Sequence, residues 1–457
     1  MKTGMTMKWK WLAFLLAIWI CAGVLSSCGG TNPTEEQTSG AESDTAKEQT
    51  EAGTDGAGES ETEKEKEDMY AFDRTISEQV LRRYLSRAVT IAPEGSVYLS
   101  LDQLQIRDFI IKTGAKYICR SACCWNPGLY EYATYDKQKE FIQSVHRKDP
   151  DVVFEACIFE CVSGSVNEIP IPEYVFEEFG LPYEQRCFDV DRMRFEDGFY
   201  RDQWGEGTCV PDITRKETQM FFFYRASAYI DVGFEGLHMG QVHLMGKNDE
   251  GWEHYTDLFA RIRSYAKQHA RRHMVLINAH THGILDADGE LMFDFHMWPS
   301  RPRTGELRED GVRTATLEKG YLDSVYGDSL GGKTKSGWEC AHLPVLVELD
   351  NFNDSYTPLE YTVNSFYVWG CDEITWFANQ PDAYRAEFLR YAYERVHELD
   401  PDCYFAMPGQ RVARYYDRNG KIYQYVYYGY RKSYYEKGND DQLVVQDIWA
   451  KSELANS

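Results

Sequence analysis

The chain has 457 residues, a formal net charge of −24 at pH 7, and aromatic side chains at 14% of its positions. This length exceeds that of a typical domain but suits one large α/β barrel with insertions. The acidic balance argues against nucleic acid and anionic lipid surfaces as partners, because phosphate groups select basic protein surfaces.

The amino-terminal segment is predicted to be an export signal. Lys8 and Lys10 precede an apolar run over 11–25, and small residues follow it. Residues 25–28, with the sequence LSSC, resemble the lipobox of bacterial lipoproteins. This resemblance implies cleavage after residue 27, a lipid on Cys28, and an extracytoplasmic chain that touches the membrane only through that lipid. A retained transmembrane anchor is the alternative, but the run is short for the ~20 residues that span a bilayer.

Residues 28–69 are predicted to be a disordered acidic tether. The segment 31–68 contains many glutamates and no aromatic, Leu, Ile or Val residue. It cannot bury enough apolar surface to offset the entropy lost on ordering. From residue 70 onward the composition becomes rich in aromatic residues, so we expect the folded domain to start there.

Strand-like and helix-like segments alternate through residues 70–410. Such alternation predicts parallel βαβ units, and eight predicted strands favour an α/β fold of the closed (β/α)8 TIM type with loop insertions. A doubly wound open sheet is the alternative, but no glycine-rich nucleotide loop follows a strand. Residues 411–457 are predicted as a C-terminal extension with a β-hairpin that turns at 419–420. The predicted strands are 88–91, 116–120, 151–159, 229–235, 274–280, 344–350, 373–378 and 403–408.

Three of these strands have one apolar face and one face that ends in polar groups. Because side chains alternate along a strand, Val275 and Ile277 share one face, whereas Asn278, His280 and His282 share the other. The predicted fourth and sixth strands show the same pattern. In a barrel, such polar groups meet at the carboxyl-terminal mouth, where the chemistry of this fold occurs.

The side chains expected at this mouth are carboxylates, imidazoles, amides and a tryptophan, a set that suits a polyol. The predicted catalytic groups are Glu235, Glu348 and Asp350. The predicted substrate-binding groups are Arg120, His238, Gln241, Asn278, His280, His282 and Trp376.

Glycoside hydrolysis is the first functional hypothesis. It requires two carboxyl groups beside the scissile bond, one protonated and one ionised. Glu235 and Glu348 are the predicted pair, with Asp350 as a substitute for either, although each carboxylate alone is also compatible with a rim salt bridge. In layout, residues 85–410 resemble the (β/α)8 glycoside hydrolases, which implies a carbohydrate substrate.

Two other functions remain open. His280 and His282 resemble the His-x-His pair of amidohydrolase barrels, and Glu235, His238 or Asp350 would supply the third ligand of a zinc site. The third hypothesis is a lipoprotein that captures glycans without catalysis. We expect a monomer with no cofactor, and a divalent metal only under the second hypothesis.

Overall fold

The computed structural model describes residues 69–92, 103–351, 362–363, 368–369, 372–416, 421–430 and 440–452. The predicted export signal, Cys28, the tether up to residue 68 and the turn at 419–420 lie outside these ranges. Within them, no helix has both the length and the apolar character needed to cross a bilayer.

The fold is mixed α/β with a central, mostly parallel sheet. The described strands are β1 (Ala88–Ile91), β2 (Tyr117–Cys124), β3 (Val153–Ile158), β4 (Val162–Ser163), β5 (Thr208–Cys209), β6 (Gly236–His238), β7 (Leu276–Asn278), β8 (His296–Pro299), β9 (Arg303–Leu307), β10 (Arg313–Thr316), β11 (Gly332–Lys333), β12 (Glu339–Cys340), β13 (Val345–Glu348), β14 (Thr362–Val363), β15 (Val368–Trp369), β16 (Cys403–Phe405), β17 (Met407–Tyr416) and β18 (Ile422–Tyr428). The described helices are α1 (Glu78–Ser86), α2 (Gln103–Thr113), α3 (Leu129–Tyr132), α4 (Tyr135–His146), α5 (Glu173–Glu178), α6 (Lys216–Val232), α7 (Val242–Met245), α8 (Glu253–His269), α9 (Glu373–Ala378), α10 (Asp382–Leu399) and α11 (Asp441–Lys451).

Two sheets make up the centre of the fold. One has the strand order β18-β17-β1-β2-β3-β6-β7, and the other has the order β16-β13-β8. Their neighbouring strands are parallel, except for the antiparallel pair β17 and β18. The Met297 N–H donates to the Ala279 carbonyl at 3.2 Å, which links β8 to the end of β7. At the opposite edge only Ala406 separates β16 from β17.

Side chains of the central strands β2, β3, β7, β13 and β16 alternate between two apolar cores. Leu276 and Leu346 belong to the smaller core, which also contains the buried side chains of helix α1. Ile277 and Val347 belong to the larger core, which the apolar sides of α2, α4, α6, α8 and α10 complete. The alternation of side chains between two faces that was predicted for residues 274–280 and 344–350 is confirmed.

The predicted strand 229–235 is wrong. Helix α6 extends to Val232 and ends at Gly233, whose φ of 115° gives a left-handed cap. The helix is buried along most of its length, so its sequence lacks the polar face that distinguishes an amphipathic helix from a strand. Strand β6 begins only after Glu235, and this shift moves that carboxylate to the amino end of the strand.

The predicted strand 373–378 is also wrong. It is helix α9, whose cap residue Asp372 accepts a hydrogen bond from the Thr375 N–H at 3.2 Å. A short apolar run alone does not separate a strand from a buried helix. Within the two central sheets, β8 was not predicted, because the four residues His296–Pro299 include a proline and a histidine and so give only a weak strand signal.

The carboxyl-terminal part contains the predicted hairpin, formed by β17 and β18. Position 411, the expected start of a separate extension, lies inside β17. The first residues of this strand pair with β1, and the later ones pair with β18. Helix α11 follows and was not predicted; its Asp447 forms an ion pair with Arg390 of α10 at 2.5 Å.

Replacing His296 by Leu is expected to stabilise the protein. The His296 ring is fully buried, and neither ring nitrogen has a hydrogen-bond partner among the described residues. An apolar side chain of similar size removes this penalty, so the free energy of unfolding should rise by about 1–2 kcal/mol at pH 7. Urea unfolding of both proteins measures this difference.

The same substitution should change the pH dependence of stability. Burial lowers the pKa of His296 to about 3. Between the unfolded value of ~6.5 and this folded value, only the unfolded state binds the proton, so wild-type stability falls as the pH falls. In the variant, the slope of the free energy of unfolding against pH should be smaller by up to ~1.4 kcal/mol per pH unit. Equal slopes would contradict the prediction.

Candidate active site

A buried cluster of charged side chains joins β2 to the ends of β7 and β13. The Arg120 Nε donates to the Glu348 Oε1 at 2.5 Å. The Arg120 Nη2 lies 3.3 Å from the Asp350 Oδ1 and 3.2 Å from the His280 Nε2. Arg120 has a φ of 58° within an irregularity of the β2–β3 pairing, so the local distortion sets where its guanidinium lies.

A second guanidinium, from Arg411 on β17, contacts the same carboxylates. Its Nη1 donates to the Glu348 Oε2 at 2.8 Å, and its Nη2 lies 3.5 Å from the Asp350 Oδ1. Both oxygens of Glu348 are therefore held by arginines. No described residue donates a hydrogen bond to the Asp350 Oδ2.

The charges of this cluster fix its protonation states. Burial alone would raise the pKa of Asp350, but Arg120, His280 and Arg411 hold it below the ordinary value. Burial lowers the pKa of His280 to about 3, so this imidazole is neutral at pH 7. Asp350 is thus an ionised carboxylate beside a neutral histidine.

A hydrogen-bond chain under this cluster fixes the tautomer of His238. The carboxylate of Glu155 accepts from the Tyr117 hydroxyl at 2.8 Å, the Arg120 N–H at 3.1 Å and the Asn278 Nδ2 at 2.6 Å. The Asn278 Oδ1 therefore faces the His238 Nδ1, at 2.7 Å, and that nitrogen must carry the hydrogen.

The other nitrogen of His238, Nε2, consequently carries a lone pair. It is buried and has no hydrogen-bond partner among the described residues. Burial, together with His280 and Arg120, holds the pKa of His238 well below its ordinary value. The ring lies 4.6 Å from that of His280, so the site contains a neutral acceptor that a ligand hydroxyl could satisfy.

Glu160 contributes a second buried carboxyl group, whose pKa is shifted in the opposite direction from that of Asp350. It follows the end of β3 and is held by Gln241, whose backbone N–H and Nε2 donate to its two oxygens at 2.8 and 2.9 Å. Gly240, with a φ of 61°, permits this approach, because a Cβ at that position would overlap the carboxylate. Burial raises the pKa of Glu160 despite the charge of Arg120.

Three aromatic rings lie next to Glu160. Trp125 is 40% exposed and packs against Phe159 and Trp204, with ring centroids 5.0 and 5.1 Å away. The Trp204 Nε1 donates to the Glu160 carbonyl at 3.2 Å. The partly exposed Trp125 indole, joined to the Glu160 backbone through Trp204, is of a kind that stacks on sugar rings.

The structure brings most of the predicted site residues into contact with one another. Gln241 joins the site through Glu160. The residues linked directly by hydrogen bonds, ion pairs or ring contacts are Arg120, His238, Asn278, His280, Glu348 and Asp350.

Three predicted residues lie elsewhere. Glu235 precedes β6 and is paired with Arg271 at 2.6 Å and Arg272 at 3.5 Å. The His282 Nε2 lies 3.1 Å from the Asp323 carbonyl, so His282 does not share a ligand position with His280. Trp376 is buried on α9 against Phe388, with ring centroids 4.9 Å apart.

Sequence reasoning missed Glu155, Glu160 and Arg411. Glu155 had a signal, because it is a lone carboxylate inside the apolar run of residues 152–159. Glu160 directly follows that run. Arg411 lies three positions beyond the last predicted strand, in the part expected to form a separate extension.

No protein-family model matches the chain, and no curated protein sequence is significantly similar to it. Among solved structures, the debranching enzyme from Nostoc punctiforme has 12% identity and a TM-score of 0.29, covering 47% of this chain and 52% of that one. The glycoside hydrolase domain of PelA from Pseudomonas aeruginosa has 10% identity and a TM-score of 0.31, covering 70% and 92%. An alpha-galactosidase from Thermus thermophilus in complex with stachyose has 13% identity and a TM-score of 0.28, covering 44% of each chain.

The chain thus covers less than two thirds of the debranching enzyme and of the alpha-galactosidase. Similarities of this size assign no activity to the chain. A functional conclusion therefore depends on the contacts within the site.

Proposed function

We propose that the protein is a glycoside hydrolase-like enzyme that acts on carbohydrate outside the cytoplasm. The proposed scaffold is a closed (β/α)8-type barrel of β1, β2, β3, β6, β7, β8, β13 and the continuous β16–β17 segment. Closure is supported by the hydrogen bond from Met297 to Ala279 and by the pairing of Val89 with Met407. Active sites of this fold lie where its strands end, as Asp350 and Glu160 do.

The observation that carries the proposal is a pair of buried carboxyl groups with opposite environments. Asp350 is held ionised between Arg120 and Arg411, whereas burial raises the pKa of Glu160. Arg120 lies 3.3 Å from Asp350, and its charge opposes the rise in the pKa of Glu160. Glycoside hydrolysis needs one ionised and one protonated carboxyl group, and environments that separate their pKa values assign the two roles.

We therefore assign Asp350 as the nucleophile or base and Glu160 as the acid that protonates the leaving oxygen. Glu348 positions Arg120 and Arg411, because both of its oxygens are occupied by these residues. The lone pair of His238 accepts a hydrogen bond from a sugar hydroxyl. Trp125 provides a face for ring stacking.

A metal-dependent hydrolase is the second candidate. His280, Glu348 and Asp350 offer ligand atoms that lie within 4.8 Å of one another. However, two guanidinium groups contact these carboxylates, and the His280 Nε2 faces one of them. Fixed positive charges at this distance oppose a divalent cation, so the donor set does not fit a catalytic metal.

The cellular setting remains part of the proposal and is supported by the sequence alone. A lipid on Cys28 would anchor the protein to the membrane, and residues 29–68 would hold the folded part away from it. The substrate would then be an extracellular glycan, with no nucleic acid as a partner, and the protein would act as a monomer.

A substrate panel tests the proposed function. Purified protein is incubated with soluble polysaccharides and aryl glycosides, with and without a chelator, and new reducing ends are measured. We expect hydrolysis of at least one substrate at the same rate in both conditions. Loss of activity with the chelator would support the metal-dependent candidate, and binding without products would contradict both enzymatic functions.

A further inference from the structure

Two cysteines face each other across neighbouring strands beside the candidate site. Cys123 of β2 is paired in register with Cys157 of β3. Directly paired residues of adjacent strands are separated by ~4.8 Å. This separation lies within the Cα range of about 4.4–6.8 Å that a disulfide spans.

The environment of Cys123 favours reaction. Its side chain is half-buried, whereas that of Cys157 is fully buried. The neighbouring Cys157 thiol lowers the pKa of Cys123, and Arg120 and Arg411 add to this effect against the opposing effect of burial. A thiolate close to arginines is the nucleophilic form of cysteine.

The neighbouring Cys124 has a different environment. Burial and the charge of Glu131 raise its pKa, and its Sγ contacts the Tyr130 hydroxyl at 3.4 Å. A vicinal Cys123–Cys124 bond is therefore the less favourable pairing, because the two side chains of consecutive strand residues point to opposite faces.

We propose that Cys123 and Cys157 are an oxidation site that forms a cross-strand disulfide by exchange with an external low-molecular-weight disulfide. The Cys123 thiolate attacks one sulfur of the donor, forms a mixed disulfide and releases one donor thiolate. Cys157 then loses its proton and attacks the Cys123 sulfur, which releases the second donor thiolate. Two protein thiols are oxidised and one donor disulfide is reduced to two thiols.

The bond would affect the candidate site through the backbone. Arg120 lies three positions before Cys123, and Glu155 lies two positions before Cys157. A disulfide would tie together the two strands that carry these groups. This inference does not depend on the proposed hydrolase function, and its test needs no substrate.

Peptide mapping tests the inference. The reduced full-length protein is incubated with oxidised glutathione at pH 7.5, remaining thiols are alkylated, and tryptic peptides are analysed without reduction. We expect a linked peptide pair in wild type and in the control Cys124→Ser, and its loss in Cys123→Ser and in Cys157→Ser. The bond should also raise the melting temperature of wild type by about 3–6 °C, because it constrains the unfolded chain.

Three results would overturn the proposal. These are a glutathione adduct on Cys123 that persists without a link to Cys157, a link that disappears only in Cys124→Ser, and no modification of either cysteine. The melting temperatures of the reduced variants distinguish these outcomes from misfolding, because each serine variant should melt close to reduced wild type.

Discussion

Replacing Asp350 by Asn is expected to abolish hydrolysis of any glycan that the wild-type protein cleaves, with a decrease in kcat of at least ~10³-fold. The amide keeps the size of the side chain but removes the negative charge that Arg120 and Arg411 stabilise in the wild type. It therefore cannot form a glycosyl intermediate or activate water. Initial rates of product release measure the effect.

The matched control is Glu235→Gln. Glu235 is also a buried carboxylate paired with two arginines, but it precedes β6 instead of following a strand. We expect this variant to keep its activity when assayed well below its melting temperature. Full activity in Asp350→Asn, or equal losses in both variants, would contradict the assignment.

Replacing Arg120 by Met is expected to cause the largest loss of stability, about 3–5 kcal/mol at pH 7. The substitution removes one of the two guanidinium groups that neutralise Glu348 and Asp350, and both carboxylates are buried. Urea unfolding measures the difference. The control is Arg303→Met, which breaks an exposed ion pair with Glu318 at 2.6 Å and should leave the midpoint of urea unfolding close to that of wild type.

The stability difference between wild type and Arg120→Met should depend on pH. Because Arg120 helps to lower the folded-state pKa of Asp350, this carboxylate contributes stability above its unfolded value of ~3.9. That contribution is lost as the pH falls through the folded value. The deficit of the variant should therefore narrow below about pH 4, and a constant deficit would argue against an ionised Asp350.

The sequence predicted the site best where apolar and polar side chains alternate clearly along a strand. In residues 274–280 and 344–350 one face is fully apolar, so the sequence alone places the polar residues of the other face together. The same argument failed for Glu235, because the apolar residues around it belong to a buried helix and its cap.

Other parts of the site leave no local signal. Arg120 and Glu348 are 228 positions apart, and their ion pair depends on a distortion within β2. Arg411 reaches the site because its strand, β17, directly follows β16, and β16 pairs with β13. Long-range pairing of this kind is determined by tertiary structure, which periodicity and spacing do not report.

The central claim is that Glu160 protonates the leaving group. Its most direct test is how the rate of the Glu160→Gln variant depends on the leaving group of the substrate. An activated dinitrophenyl glycoside needs no protonation, whereas an unactivated glycan does. If Glu160 is the acid, the variant should lose at least ~10²-fold in rate on the glycan and less than ~10-fold on the activated glycoside. Equal losses on both substrates, or no loss on the glycan, would contradict the pairing of Glu160 with Asp350.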